Sequence, residues 1–220
     1  MNSNLLEYQI GKETAWGTSA AATARLMGIS ENVELEPGDE FRALPEQRGS
    51  MAGAFNTIPV KRDGSIPIGG QVLYEDMPYW FDMLFGTATP TGLGPYVYSY
   101  AAPLGTAPTP RSSTIYKGNG SDVYKLLGAV AGGLTISGKT GEELKFECPL
   151  LGKQVLTGAL ASLSDRAVNI AQADHVALYI DTEAGTMGGT VVDTTFFSFE
   201  LALDAGRAGK FGLGALQLGL

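Results

Sequence analysis

Cysteine and histidine are almost missing from this chain: Cys148 and His175 are the only ones in 220 residues. A single cysteine excludes an intrachain disulfide and fits folding in a reducing compartment. One His and one Cys fall short of a four-ligand zinc site without carboxylates at ligand spacing, and none stand there. A Cys–His nucleophilic pair would have to be these two. Cys148 lies on the apolar side of its segment with Leu144 and Phe146, which reads as a buried, inert thiol. His175 directly follows Asp174 and reads as a solvated loop or strand-start residue.

Charge is also scarce. Asp, Glu, Lys and Arg make up 17% of the chain and leave a net −8. A sequence-reading DNA binder needs a basic patch, so this balance argues against one. No apolar run approaches the roughly 18 residues of a membrane helix. The N-terminal MNSNLLEYQIGKE lacks the basic and apolar regions of a signal peptide. The expected setting is therefore intracellular solution, with no membrane partner.

Catalytic signatures are missing too. There is no GxSxG and no Walker loop. The glycine-rich stretches at Gly118 (GNGSD) and Gly209 (GKFGLG) lack a strand before and a helix after, so they read as turns. Glu142, Glu143 and Glu147 form no acid pair distinguishable from a solvated strand face. No nucleophile, base and orienter assemble, so the reading is non-enzymatic. No catalytic, cofactor-binding or metal-binding residue is assigned.

What is present is glycine and proline, 30 and 11 residues, as expected of short strands joined by turns. The clearest segment is residues 132–154, GGLTISGKTGEELKFECPLLGKQ. Leu134 and Ile136 alternate with Thr135 and Ser137; beyond a Gly-Lys-Thr-Gly turn, Leu144, Phe146 and Cys148 alternate with Glu143, Lys145 and Glu147. Period-2 alternation on both sides of such a turn predicts a β-hairpin with one apolar and one polar face.

Residues 1–24, ending in GTSAAATA, read as an arm or extended loop. A strand is expected within residues 25–36. Residues 38–56 are polar and aperiodic and read as a long loop. Residues 57–73 predict a second hairpin around Arg62-Asp63-Gly64-Ser65, its Pro59 and Pro67 restricting those strands to an edge or a late start. Residues 75–85 predict a helix. Asp76 stands at the cap, Pro78 in the first turn and Gly86 at the end. Met77, Trp80, Phe81, Leu84 and Phe85 form its core-facing stripe.

Tyr96, Tyr98 and Tyr100 alternate in a short strand and point one way. That face is either an ordinary amphipathic one or a subunit contact, where Tyr is enriched. The rest is nearly all β, with long segments at 123–137 and 142–155, a short one at 176–181, and a final alternation of Phe197, Phe199, Leu201 and Leu203 with Ser198, Glu200, Ala202 and Asp204. The apolar, Gly-rich C-terminal end is expected to dock onto this subunit or a neighbour.

The order of these pieces is specific. IGKETAWGT at residues 10–18, the YEDMPYWFDMLFG helix, the tyrosine strand, the GAVAGGLTISGKTGEELKFECPLLGKQV hairpin, ALYID and FFSFELALDAG follow one another. In this order they resemble the major tail tube proteins of long-tailed bacteriophages, over roughly residues 10–206. The resemblance implies a mainly β fold, a β-sandwich or half-barrel with one packed α-helix, in a single domain spanning 1–220. Strands would join between subunits into a ring-shaped barrel, usually hexameric, and rings would stack into a tube. The tube would surround a tape-measure protein, meet tail terminator and baseplate proteins, and pass DNA without binding it. Assembly would take place in the host cytoplasm, and the product would reside in the virion tail.

On this reading the lumen candidates are Thr135, Ser137, Glu143, Lys145 and Glu147, with Ser198 and Glu200. The other possibility is that these face bulk solvent on an isolated sandwich. The arm 1–24 and the loop 38–56 are expected to make inter-subunit contacts. A tail terminator or baseplate hub protein is the nearest alternative, and a carbohydrate-binding β-sandwich a more distant one.

Overall fold

The computed structural model describes residues 6–30, 33–45, 49, 56–94, 96–100, 111–183, 185–186, 188–192, 196–207 and 209–211. Six strands precede the helix: β1 (Glu7–Lys12), β2 (Ala24–Leu26), β3 (Glu36–Pro37), β4 (Glu40–Leu44), β5 (Asn56–Lys61) and β6 (Gly64–Gln71). The helix is α1 (Met77–Phe85). After it come β7 (Ser113–Gly118), β8 (Val123–Ala131), β9 (Gly133–Lys139), β10 (Lys145–Gly152) and β11 (Gln154–Thr157). A 3-10 turn at Ala173–His175, β12 (Leu178–Tyr179), β13 (Val191–Val192) and β14 (Ser198–Asp204) complete the order among the described residues.

All pairings are antiparallel. One layer runs β2-β1-β7-β8-β11 and the other β3-β6-β10-β9-β14. They join where β8 leaves its first partners: Val130 and Ala131 pair with Leu151 and Leu150 of β10. The result is a mainly β sandwich with one packed helix and no closed barrel.

Alternation explains which side of each strand is buried. Ile10, Ile115 and Leu126 point inward from the first layer, and Ile66, Ile68, Leu134, Phe146, Cys148 and Leu150 from the second. These side chains are almost wholly removed from water, each stabilising the fold by roughly 1.5–3 kcal/mol before entropy is counted. Cys148 is among them, and burial pushes its thiol up to about 12, as its place in the alternation predicts.

Helix α1 packs against β8 and β9. Trp80 is fully buried, its ring centroid 5.4 Å from that of Phe146. Met77, Met83 and Leu84 are buried beside it, while Phe81 and Phe85 are only half-buried. The core-facing side thus keeps Met77, Trp80 and Leu84 of the expected stripe, with Phe81 and Phe85 packed against the core at its margin, and adds Met83. Phe81 and Phe85 also form an aromatic group with Tyr100, at 5.4 and 6.3 Å between centroids. Asp76 holds the N-cap position, but its side chain is not a cap: it pairs with Arg166 and accepts from the Met27 amide at 3.3 Å. Gly86 ends the helix at φ 95°.

Several expectations are corrected here. Residues 7–12 are no arm. They form β1, paired with β2 on one side and β7 on the other, with Tyr8, Gln9 and Ile10 buried. The expected hairpin over 57–73 does not form: β5 pairs with β4, and β6 pairs with β10. The place where β5 would lie beside β6 is taken by β3, with Glu36 opposite Ser65 and Pro37 opposite Gly64.

The loop expected at 38–56 contains β4, so β4 and β5 make a two-stranded ribbon; residues 46–48 and 50–55 lie outside the described residues. The tyrosine segment is no strand but carries a single bridge between Thr91 and Val97. Tyr100 donates its hydroxyl to Asp82, buried in α1, at 2.9 Å. Residues 212–220, most of the apolar end expected to dock, lie outside the described residues.

Candidate assembly face

The predicted hairpin at 132–154 forms as β9 and β10, with Lys145 opposite Ser137, Phe146 opposite Ile136 and Glu147 opposite Thr135. Its turn closes through the Glu142 amide donating to the Lys139 carbonyl at 3.1 Å. Gly141 stands at φ 84° at the third turn position while Thr140 keeps a negative φ, the pattern of a type II turn.

Strand pairing extends the polar face of this hairpin in both directions. Directly opposed residues on neighbouring strands share a face. One rung reads Glu200, Ser137, Lys145, Gln71 across β14, β9, β10 and β6; the next reads Ala202, Thr135, Glu147, Gly69. Ser198 sits opposite Lys139, and Asp204 opposite Gly133. Glu143 stands at the rim, just before β10, bridged through its backbone to Gln172. All seven residues singled out from the sequence therefore lie along one side of one layer.

Sequence reasoning missed Gln71 and Asp204 on this face. The signal for both was present. Gln71 is in phase with Pro67 and Gly69, opposite to Ile66 and Ile68, and Asp204 continues the alternation of Ser198, Glu200 and Ala202.

The electrostatics are mixed with an acidic surplus. Glu142, Glu143, Glu147, Glu200 and Asp204 outnumber Lys139 and Lys145 along the face and its turn. Lys145 Nζ approaches Glu142 Oε2 at 4.0 Å with both side chains about half exposed, so the pair contributes on the order of 0–1 kcal/mol. A shallow depression between β9, the turn and β14 is lined by Ser137, Lys139, Lys145, Ser198 and Glu200. It is open to solvent, and no cluster of three or more metal-ligating side chains occurs among the described residues.

Two features flank the face. β14 ends its layer; it pairs with β9 over its whole length and has no strand on its far side among the described residues. Phe197 and Leu201 are exposed there. The β4–β5 ribbon stands apart from both layers, with Phe41, Ile58 and Val60 exposed and a register shift between Glu40 and Phe41. An unpaired edge and an apolar ribbon are liabilities for an isolated chain, because each offers backbone or apolar surface to another copy.

A buried core carrying one broad polar sheet face, an open edge and an apolar ribbon defines a structural β-sandwich subunit, a building block that presents contact surface. The chain belongs to the phage tail tube protein family, whose model matches residues 3–219. No individually curated protein matches the chain. Family membership makes this a structural protein of the virion tail that associates with itself in a tube. No helix among the described residues is long and apolar enough to cross a membrane.

Proposed function

We propose that this protein assembles into closed rings, hexameric as the resemblance to the major tail tube proteins implies, that stack into the tail tube and form the conduit for DNA. Its polar sheet face, Thr135, Ser137, Glu143, Lys145, Glu147, Ser198 and Glu200 together with Gln71 and Asp204, lines the lumen. The tape-measure protein occupies that lumen during assembly in the host cytoplasm, and terminator and baseplate proteins close the two ends. The observation that carries this reading is the continuous polar face across β14, β9, β10 and β6, backed by the core on its other side.

The physics supports the role. Ring closure pairs each open edge with a neighbour and leaves none exposed. The free edge of β14 meets that requirement on one side. Each copy brings a net charge of −8, and the acidic surplus on the face repels phosphates at short range, which keeps DNA from adhering to the wall. The β4–β5 ribbon supplies contacts between subunits.

Electron microscopy of the purified full-length protein tests this reading. Hollow tubes with the β9–β10 turn at the inner wall are the expected result. Single rings that never stack indicate a terminator instead, and a lumen lined by another face overturns the assignment of the wall.

A further inference from the structure

On the side of the molecule where α1 begins, a cleft of about 550 Å³ opens between the helix, the end of β1 and the segment after the helix. The volume falls in the roughly 300–1,000 Å³ range of small-molecule sites. Tyrosines dominate it. Tyr74, Tyr96 and Tyr98 are 52%, 65% and 40% exposed, so their rings serve no core. Tyr79 forms the floor, half-buried, with Lys12 Nζ 5.2 Å and Arg166 Cζ 5.9 Å from its ring centroid.

The charge in this cleft is already balanced from behind. Lys12 binds the buried Asp82 at 2.6 Å, and Arg166 binds the buried Asp76. Glu75 adds a carboxylate at the rim, held by the Asn169 side chain at 2.6 Å. An anionic ligand would find both cations neutralised and Glu75 opposing it. A cationic ligand would find the ring of Tyr79 already covered by cations. What remains is a neutral ligand with apolar faces for stacking and many hydroxyls, since the rim supplies donors (Lys12, Arg166) and an acceptor (Glu75) together. A proline-rich peptide presents carbonyl acceptors and has no use for Glu75.

Tyr74 is also fixed in place: its hydroxyl lies 3.3 Å from His175 Nδ1. A ring held before binding loses less freedom when a ligand stacks on it.

From these observations we infer that the Tyr74–Tyr96–Tyr98 cleft binds a neutral saccharide, its rings stacked on exposed tyrosines and its hydroxyls bonded to Lys12, Arg166 and Glu75. The inference does not depend on tube formation, and its test reads binding alone.

The experiment is ligand-observed NMR on the full-length protein with maltotriose, cellotriose and the trimer of N-acetylglucosamine, each at millimolar concentration, beside a hexaproline peptide. At least one sugar is expected to bind. Tyr96→Ala and Tyr98→Ala should each weaken that sugar roughly 3- to 10-fold, while Tyr96→Phe, which keeps the ring, should retain it. Tyr96 is largely exposed, so its loss leaves the circular dichroism unchanged and a folding failure does not confuse the result. Silence from all three sugars, binding indifferent to both tyrosines, or preference for the peptide overturns the inference.

Discussion

The backbone amide of Gly128 donates to the Glu13 carboxylate at 2.9 Å. The contact plugs a bulge. β7 and β8 shift register between Ser113 and Ile115, so Thr114 faces extra backbone, and Gly128 takes φ 64° to make room. Glu13 fills the gap and accepts four hydrogen bonds, the others from the Gly17 amide at 2.8 Å, Ser112 Oγ at 2.7 Å and Thr114 Oγ1 at 2.8 Å. Trp16 closes the turn by donating Nε1 to the Gly128 carbonyl at 3.3 Å.

Replacing Glu13 by Ala therefore leaves the buried Gly128 amide and the Ser112 hydroxyl without this acceptor, while Thr114 Oγ1 loses the acceptor of its proton and keeps only the bond from the Ala20 amide. The expected cost is about 2–4 kcal/mol in urea unfolding, and Glu13→Gln should recover part of it. Gly128→Ala should cost roughly 1–3 kcal/mol, because its φ disfavours a side chain and the added carbon would stand 3.0 Å from Trp16 Nε1. Wild-type stability in both would show that the bulge is not held this way.

Arg207 holds the far end of α1. Its guanidinium donates to the Leu84 carbonyl at 2.6 Å, the Ala131 carbonyl at 2.9 Å and the Met83 carbonyl. Helix C-terminal carbonyls lack intrahelical donors, and a forked cation meets several at once. Arg207→Ala should lower stability by about 1–3 kcal/mol and weaken the near-ultraviolet dichroism of Trp80. Arg207→Lys should rescue little, since one ammonium lacks the fork. Full rescue by Lys would mean that charge alone matters.

Burial raises the Cys148 thiol from its ordinary value of 9.0 to about 12. Below pH 9 the thiol is neutral whether the chain is folded or not, so its contribution is fully present. Above that, the unfolded chain releases a proton that the folded chain keeps, and stability falls with rising pH until the folded thiol itself ionises. Tyr100, raised first by burial and then by Asp82, acts in the same direction at the alkaline end. Cys148→Ala should flatten part of the decline in urea midpoint between about pH 9 and pH 11. An identical pH profile in the variant would contradict this. In the native protein a thiol reagent should find nothing to modify until the chain unfolds.

Phe41 and Ile58 lie on opposite faces of a ribbon without a core on either side. Phe41→Ser with Ile58→Ser should leave the sandwich folded, with unfolding midpoints unchanged within error, and should abolish tube growth seen by light scattering. Unaltered growth would remove the ribbon from the contact.

Glu147→Lys with Glu200→Lys reverses charge on two rungs of the polar face without touching the core. Tubes should still form. Their affinity for double-stranded DNA in solution should rise and then fall steeply with added salt. Equal DNA retention by wild-type and variant tubes would argue against a wall that repels phosphate.

The polar face was legible in the sequence because β9, β14 and residues 145–148 of β10 alternate, and alternation fixes the side of a strand. The same rule placed Cys148 in the core. What was not legible depends on partners distant in sequence. EYQIGK looks like a tail fragment until β7 arrives to pair with it. Asp-Gly after Ile58 and Val60 looks like a hairpin turn, yet β3 takes that place beside β6. Asp82 of α1 is buried and bonded to Lys12 and Tyr100, an arrangement that no local period reveals. The Tyr96–Tyr100 alternation makes no strand among the described residues, where its backbone partner is the bridge from Val97 to Thr91.

The position of β1 has a consequence for how the chain is made. Its partner β7 begins at residue 113, and the Gln9 side chain, fully buried, exchanges hydrogen bonds with the Ala161 backbone 152 residues away. During synthesis the first strand thus waits, unlocked, until most of the polypeptide has left the ribosome. Contacts of such long sequence separation slow folding. They also make the first layer depend on length: a product terminated before β7 has no strand to close β1 on that side, so it yields no sandwich with which to contaminate a growing polymer.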